Sequence, residues 1–142
     1  MGFYRTQNTF LNHWIVLEQL AMQQSRWLLG ENKTMQVIIF GGSGFLGSWV
    51  VTKLIKVGYE VTVFDLNIDK NLLTKLLGKE ISKIKFITGD ITNYDQVLSS
   101  IDNMKYVINL AGLMTPDCSK NPILGAQVNV LGSINVFEAV KK

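Results

Sequence analysis

The segment Gly41-Gly42-Ser43-Gly44-Phe45-Leu46-Gly47 is the feature of the sequence that best predicts the fold of this chain. It lies between the apolar run Val37–Phe40 and a segment of helical periodicity that ends near Val57. A strand, a glycine-rich turn and a helix in this order form a cradle for the phosphates of a dinucleotide. The phosphates face the positive end of the helix dipole and its free N–H groups. The glycine spacing here is G-x-x-G-x-x-G rather than G-x-G-x-x-G.

Each glycine of this loop has a separate predicted task. Gly41 lets the chain turn at the strand end, Gly44 lets the backbone approach a pyrophosphate, and Gly47 lets the helix pack close to the strand. Asp65 ends the next apolar run, close to the offset of roughly 20 residues expected for an acid that binds a ribose hydroxyl. The alternative interpretation is a flexible loop followed by a solvated aspartate.

The carboxylate of Asp65 also bears on the choice between NAD and NADP. It would accept hydrogen bonds from the ribose hydroxyls of NAD and repel the 2′-phosphate of NADP. Leu66 and Asn67 follow it, and Lys70, the nearest cation, lies inside the next helical pattern. The sequence therefore favours NAD as the cofactor.

Strand and helix patterns alternate after Met35, which predicts an α/β fold with a parallel sheet and helices on both faces. The predicted strands are Val37–Phe40, Glu60–Phe64, Ile84–Ile87 and Tyr106–Leu110. The predicted helices are Phe45–Val57, a short helix capped by Asp69, another capped by Thr92 or Asn93, and a long helix over Ile123–Lys141. Right-handed crossovers favour a Rossmann-like sheet with strand order 3-2-1-4.

The chain divides at Met35 into an N-terminal extension over residues 1–34 and a dinucleotide-binding domain over residues 35–142. Apolar residues at helical spacing predict one amphipathic helix in the extension: Phe10, Trp14, Leu17, Ala21 and Leu28. It would be a helix docked on the domain or a tail. Since Met35 would be a natural start for such a fold, a third interpretation is that residues 1–34 are not part of the ancestral protein.

Composition excludes several classes of function. Of the 142 residues, 47% are hydrophobic and 18% are charged, which is typical of a globular domain. A net charge of +3 without a basic stripe argues against nucleic-acid binding. Cys118 and His13 form neither a disulfide nor a metal-ligand set, and the lone thiol suits a reducing cytoplasmic setting. Polar residues interrupt the apolar N-terminal stretch, so the sequence predicts no membrane span.

Three further segments accompany the glycine loop in order along the chain: Gly89-Asp90-Ile91-Thr92, Asn109-Leu110-Ala111-Gly112, and Asn129 to Ala139. With these four motifs, Met35–Lys142 resembles the extended short-chain dehydrogenase/reductase family, in particular its NAD-dependent epimerase/dehydratase group. Taken singly, Asp90 could cap a helix, Asn109 could satisfy backbone groups, and Asn129 could be a polar residue on a helix face.

The resemblance implies a cofactor site that runs from the glycine loop to the long helix. Asp90 and the next backbone group would contact the adenine, the Asn109–Gly112 motif would run beneath the nicotinamide ribose, and Asn129 would be a structural asparagine. The implied cofactor-binding residues are Gly41, Gly44, Phe45, Leu46, Gly47, Asp65, Asp90, Ile91, Leu110, Ala111, Gly112 and Asn129. The resemblance also implies a homodimer through the helix near residues 123–141.

The family's catalytic Tyr-x-x-x-Lys pair is absent from this sequence. In the family the lysine lowers the pKa of the tyrosine, which takes a proton from the substrate hydroxyl as hydride passes to the nicotinamide. The four tyrosines here are followed four positions later by Asn8, Val63, Leu98 and Leu110. We therefore expect the catalytic residues and the substrate domain to lie outside this chain, which would be a fragment, an early-terminated product or one of two chains.

The function that the resemblance implies is the NAD-binding portion of an epimerase or dehydratase that acts on a nucleotide sugar. Two interpretations of another class stay open: a non-catalytic dinucleotide-binding module, and the remnant of a truncated gene. Within the enzymes, the alternative is a hydroxysteroid-type dehydrogenase, because it shares the same N-terminal half.

Overall fold

Four parallel strands form the sheet at the centre of the fold. The computed structural model describes residues 35–142, so the predicted extension over residues 1–34 lies outside the described residues. The strands are β1 (Gln36–Phe40), β2 (Glu60–Asp65), β3 (Lys85–Thr88) and β4 (Tyr106–Asn109). Their order is β3-β2-β1-β4, which confirms the predicted order. Each strand was predicted to within one residue at either end: β1 begins one residue earlier, β2 ends one residue later, β3 is shifted by one residue, and β4 ends at Asn109 rather than Leu110.

Helices connect the strands and cover both faces of the sheet. They are α1 (Phe45–Lys56), α2 (Asn71–Leu77), a 3₁₀ turn (Gly78–Lys83), α3 (Tyr94–Ser100), α4 (Thr115–Lys120), α5 (Pro122–Ala126), a π-helical segment (Gln127–Gly132) and α6 (Ser133–Val140). The last three form one continuous helix, Pro122–Val140. The long helix was therefore predicted within one residue at each end, whereas the π-helical segment inside it and α4 before it were not.

Alternate residues of β1 supply the two halves of the core. Val37 and Ile39 pack on one side with residues of α1 and α2, such as Val51 and Leu73. Ile38 and Phe40 pack on the other side with Ile91, Val97 of α3, and Val136 and Ala139 of α6. Because successive side chains of a strand point to opposite faces, a fully apolar strand requires cover on both sides. This arrangement confirms the predicted three-layer α/β fold.

Side-chain caps fix where two helices begin. Asn93 accepts a hydrogen bond from the backbone N–H of Gln96 over 3.1 Å, so it caps α3 rather than Thr92. Asn121 accepts from Leu124 N–H over 3.1 Å ahead of Pro122. The capping position of α2 is Lys70 rather than the predicted Asp69, although Asp69 still accepts from Asn71 N–H over 2.9 Å.

The helix Pro122–Val140 is, by length and composition alone, apolar enough to cross a membrane, and it is the one such helix among residues 35–142. The sequence analysis predicted no membrane span, and a match by length and composition alone is weak evidence for one. Core helices of globular domains meet this criterion equally. Here Asn135, Val136 and Ala139 of this helix are buried, and Asn135 is hydrogen-bonded to the loop before α3.

Candidate functional site

A cleft of about 220 Å³ opens at the carboxyl ends of the strands. β1 pairs with β2 on one side and β4 on the other, so the connections leave β1 and β4 toward opposite faces of the sheet at this edge. Such a switch point is where open α/β sheets bind ligands. The residues that line the cleft are Gly41, Gly44, Phe64, Asp65, Leu66, Gly89, Asp90, Ile91, Leu110, Ala111, Gly112, Leu113 and Val128.

Most of the predicted contact residues line this cleft, and four do not: Phe45, Leu46, Gly47 and Asn129. The side chains of Phe45 and Leu46 are turned outward, with 77% and 62% of their surfaces exposed. The predicted role of these two residues therefore depends on their backbone N–H groups in the first turn of α1.

Five lining residues were not among the predicted cofactor-binding residues: Phe64, Leu66, Gly89, Leu113 and Val128. Of these, Phe64 and Leu66 flank Asp65, so their position beside the predicted acid was a usable signal. Val128 lies on the long helix, and only the tertiary fold brings it to the sheet edge.

The three glycines of the loop differ in how much space surrounds them. Gly41 has a φ of +74°, and a Cβ built there would lie 2.7 Å from the backbone nitrogen of Ala111. A Cβ at Gly47 would lie 2.2 Å from the carbonyl oxygen of Gly41. At Gly44 the nearest atom to such a Cβ is that same oxygen, at 3.4 Å. Gly41 and Gly47 are thus required by the protein's own packing, whereas Gly44 faces open space.

The amino end of α1 lies directly beside that open space. Helix α1 begins at Phe45, its capping residue Gly44 makes no side-chain hydrogen bond, and its first turn carries no acidic residue. The first N–H groups of a helix have no intrahelical acceptor and carry the positive end of its dipole. Helix ends of this kind attract anions.

Asp65, at the end of β2, is bound to the glycine loop. Its Oδ2 accepts a hydrogen bond from the backbone N–H of Ser43 over 3.1 Å and another from the Ser43 hydroxyl over 2.7 Å. Within residues 35–142, no hydrogen bond is formed by Oδ1 of this carboxylate. The acid therefore lines the cleft with one oxygen available to a ligand.

Asp90 is held in a turn of its own after β3. Its Oδ1 accepts from both the backbone N–H and the hydroxyl of Thr92 over 2.8 Å each, and its N–H donates to the side chain of Gln96 over 2.8 Å. The loop is tied to the last helix because the Asn135 amide donates to the carbonyl oxygens of Ile91 and Thr92 over 3.0 Å each. These bonds present Asp90 and Ile91 to the cleft in one fixed geometry.

Asn129, in the π-helical segment, contacts the loop after β4 instead of the cleft. Its Oδ1 accepts from Leu113 N–H over 2.7 Å, and its Nδ2 donates to the Leu113 carbonyl over 3.0 Å. Asn109 adds a bond from Ala111 N–H to its Oδ1 over 3.1 Å. Asn129 thus acts on the cleft through the backbone of Leu113, which itself lines it.

The cleft is lined by acidic but not by basic side chains. No Lys or Arg is among the residues that line it. Lys70, the cation nearest to Asp65 in sequence, places its ammonium 4.4 Å from the centre of the Phe86 ring. Across residues 35–142 no group of three or more His, Cys, Asp or Glu side chains could hold a metal ion.

Comparison with known proteins agrees with this geometry. Residues 38–142 match the family model described as GDP-mannose 4,6 dehydratase. The chain is 30% identical over 124 residues to the bifunctional UDP-glucose 4-epimerase and UDP-xylose 4-epimerase 3 of Arabidopsis thaliana, covering 80% of this chain and 35% of the relative. The chain belongs to the extended short-chain dehydrogenase/reductase family, in its NAD-dependent epimerase/dehydratase group.

Two further relatives show the breadth of this family. Human sterol-4-alpha-carboxylate 3-dehydrogenase, decarboxylating, is 29% identical over 114 residues, which cover 80% of this chain and 28% of the relative. The crystal structure of the Thermus thermophilus UDP-glucose 4-epimerase in complex with NAD is 30% identical with a TM-score of 0.62, covering 75% of this chain and 34% of that one. The chain thus spans about a third of the length of the relatives that it matches.

Proposed function

We propose that residues 35–142 bind NAD and form the cofactor-binding portion of an enzyme that acts on a nucleotide sugar by hydride transfer at a sugar hydroxyl. The observation that supports the proposal is that Gly44, at the amino end of α1, is a glycine whose position has room for a Cβ, unlike Gly41 and Gly47. NAD would supply the hydride acceptor. The chain's own residues would bind and orient it.

Each part of the cleft suits one part of the dinucleotide. The backbone amides of Phe45, Leu46 and Gly47 would bind the pyrophosphate, because the start of a helix attracts anions. The Asp65 carboxylate would accept the hydroxyls of the adenosine ribose. Asp90 and the backbone of Ile91 would meet the adenine.

The other end of the cleft would hold the nicotinamide half. The backbone of Leu110, Ala111 and Gly112 would run beneath the nicotinamide ribose, and Asn129 would hold this segment through Leu113. NAD is favoured over NADP because Asp65 would repel a 2′-phosphate and the lining contains no basic side chain to bind one.

The substrate class is suggested by the relatives, several of which are named as nucleotide-sugar epimerases. The sterol dehydrogenase relatives favour a second candidate, a dehydrogenase that acts on a steroid hydroxyl. A non-catalytic dinucleotide-binding module is the alternative of another class. A cytoplasmic location and a homodimer through the helix near residues 123–141 also stay predictions.

Binding of NAD by the 142-residue chain tests the proposal. Gly44 has an extended backbone conformation, with φ −66° and ψ 174°, and a Cβ there would make an ordinary van der Waals contact at 3.4 Å with the Gly41 carbonyl oxygen. A valine there is therefore compatible with the fold but fills the position of the pyrophosphate. We expect calorimetry to show NAD binding by the wild type and a loss of at least about tenfold in Gly44→Val.

The matched control is Thr74→Val, a change to the same residue on the exposed side of α2, away from the cleft. It should bind NAD as the wild type does. Equal affinity of the wild type and Gly44→Val for NAD would show that the cleft is not the cofactor site.

A further inference from the structure

Ser43, a non-glycine residue of the glycine loop, holds the Asp65 carboxylate through two hydrogen bonds. Its side chain is buried beneath the loop, with 8% of the residue exposed. Both of its donors, the backbone N–H and the hydroxyl, lie within hydrogen-bond distance of the same carboxylate oxygen, Oδ2 of Asp65. No other side chain among residues 35–142 is hydrogen-bonded to this carboxylate.

The single hydroxyl proton of Ser43 has two acceptors within reach. Asp65 Oδ2 lies at 2.7 Å and the carbonyl oxygen of Asn67 at 3.2 Å. Because a hydrogen bond to a charged acceptor is shorter and stronger than one to a neutral carbonyl, the hydroxyl donates its proton in a hydrogen bond to the carboxylate. The hydroxyl therefore fixes the rotation of the Asp65 side chain rather than the loop after it.

This bond determines which carboxylate oxygen a ligand meets. With Oδ2 occupied by two donors from Ser43, Oδ1 is the oxygen left for the hydroxyls of a ribose. The fixed orientation also places the carboxylate next to the position of the ribose. Without the hydroxyl, the side chain would still be attracted by the Ser43 N–H but would be free to rotate toward solvent.

We propose that Ser43 is a positioning residue for cofactor choice, which holds the Asp65 carboxylate in the orientation that favours NAD over NADP. This inference rests on the proposed NAD site and assigns Ser43 a role through Asp65 rather than a contact with the cofactor. It also explains why a serine in the phosphate loop bears on the ribose end of the ligand: the loop and the acid are joined by one pair of hydrogen bonds.

The test is a double-mutant cycle on Ser43 and Asp65, with NAD and NADP affinities of the 142-residue chain measured by calorimetry at one ionic strength. We expect Ser43→Ala to weaken NAD binding about fivefold to tenfold, as is typical of a lost hydrogen bond to a charged group, and NADP binding less than about twofold. Ser43→Cys, which keeps the volume but donates weakly, should behave as Ser43→Ala does. Ser43→Thr, which keeps the hydroxyl, should retain the wild-type ratio of the two affinities.

In the Asp65→Ser background, Ser43→Ala should add less than about a twofold change, because the group through which it acts is already gone. The matched control is Ser48→Ala, in the first turn of α1. The Ser48 hydroxyl donates to the Ser43 carbonyl over 3.3 Å and does not touch Asp65, so its loss should change NAD and NADP affinities by the same factor. Incomplete folding of a variant lowers both apparent affinities equally and leaves their ratio unchanged.

The outcomes separate this inference from the proposed function. A wild-type chain that binds no NAD would overturn both. The role of Ser43 alone would be overturned if the wild type binds NAD but Ser43→Ala weakens NAD and NADP binding by the same factor. It would also be overturned if Ser43→Ala weakens NAD binding as much in the Asp65→Ser background as in the wild type.

Discussion

At the scale of single residues, the glycine loop shows that one motif combines positions needed by the fold with a position reserved for a ligand. Gly41 and Gly47 have no room for a Cβ, because backbone atoms lie at 2.7 Å and 2.2 Å from where it would be. Gly44 has that room. A glycine that the protein itself does not need is the one that indicates a binding site.

Asp65 is the residue whose change should alter cofactor choice. Asp65→Ser removes the negative charge and the ribose acceptor, so NAD binding should weaken about tenfold while the discrimination against NADP decreases. Calorimetric titrations with both dinucleotides at the same ionic strength measure this ratio. A wild-type chain that already binds NADP as tightly as NAD would contradict the assignment of Asp65.

At the scale of elements, the helix Pro122–Val140 shapes the site through two asparagines of different function. Asn129 binds the backbone of Leu113 after β4, and Asn135 binds the carbonyl oxygens of Ile91 and Thr92 after β3. One helix therefore fixes the loops that follow two different strands. The segment Gln127–Gly132, which contains Asn129, is π-helical, a form that is frequent at functional sites.

Removal of the Asn135 amide should destabilise the domain measurably. Asn135→Ala leaves the buried carbonyl oxygen of Ile91 and the partly buried one of Thr92 without their donor, which costs about 2 kcal/mol in the free energy of unfolding. Urea unfolding followed by circular dichroism would measure the difference. Gln127→Ala, an exposed amide on the same helix, should change the free energy of unfolding by no more than about 0.5 kcal/mol. Equal effects of the two changes would refute the role of Asn135 as a tie between helix and loop.

At the scale of the whole molecule, residues 35–142 leave an edge strand and a helix face with large apolar surfaces. β4 is an edge of the described sheet, and Tyr106 on it is exposed. On the last helix, Ile123 and Phe137 expose 74% and 64% of their surfaces. Surfaces of this kind promote pairing with other chains.

The purified 142-residue chain should therefore self-associate at concentrations of about tens of micromolar, the range in which such surfaces promote association. Sedimentation velocity would detect the larger species. The double variant Ile123→Lys with Phe137→Lys should shift the distribution toward monomer, because it places charge on the exposed helix face. A clean monomer of the wild type in this range would show that these surfaces are covered.

The same 142-residue chain should form no NADH from any nucleotide sugar. None of its tyrosines has a lysine four positions later, and Tyr59, Tyr94 and Tyr106 do not line the cleft. The proton transfer that accompanies hydride transfer therefore lacks its base. Absorbance of NADH in the presence of protein, NAD and a nucleotide sugar would check this. A protein-dependent signal that Gly44→Val abolishes would disprove it.

The parallel sheet, its strand order and the positions of its main helices could be predicted from the sequence. Continuous apolar runs of strand length, separated by helical periods and glycines, are local signals, and the handedness of crossovers leaves few topologies. The same local signals identified Asp65 at the end of the second strand, whereas Asp90 was expected in the site only from the family resemblance.

The hydrogen bonds that hold these side chains and loops could not be predicted from the sequence and are seen only in the folded structure. The bond between Ser43 and Asp65 joins residues that are 22 positions apart, and the Asn135 amide reaches Ile91 across 44 positions. Asn129 was expected among the cofactor-binding residues, yet its amide is occupied by Leu113. Periodicity reports which face of an element is buried. It carries no information about which distant donor meets which acceptor, since that depends on the packing of the assembled layers.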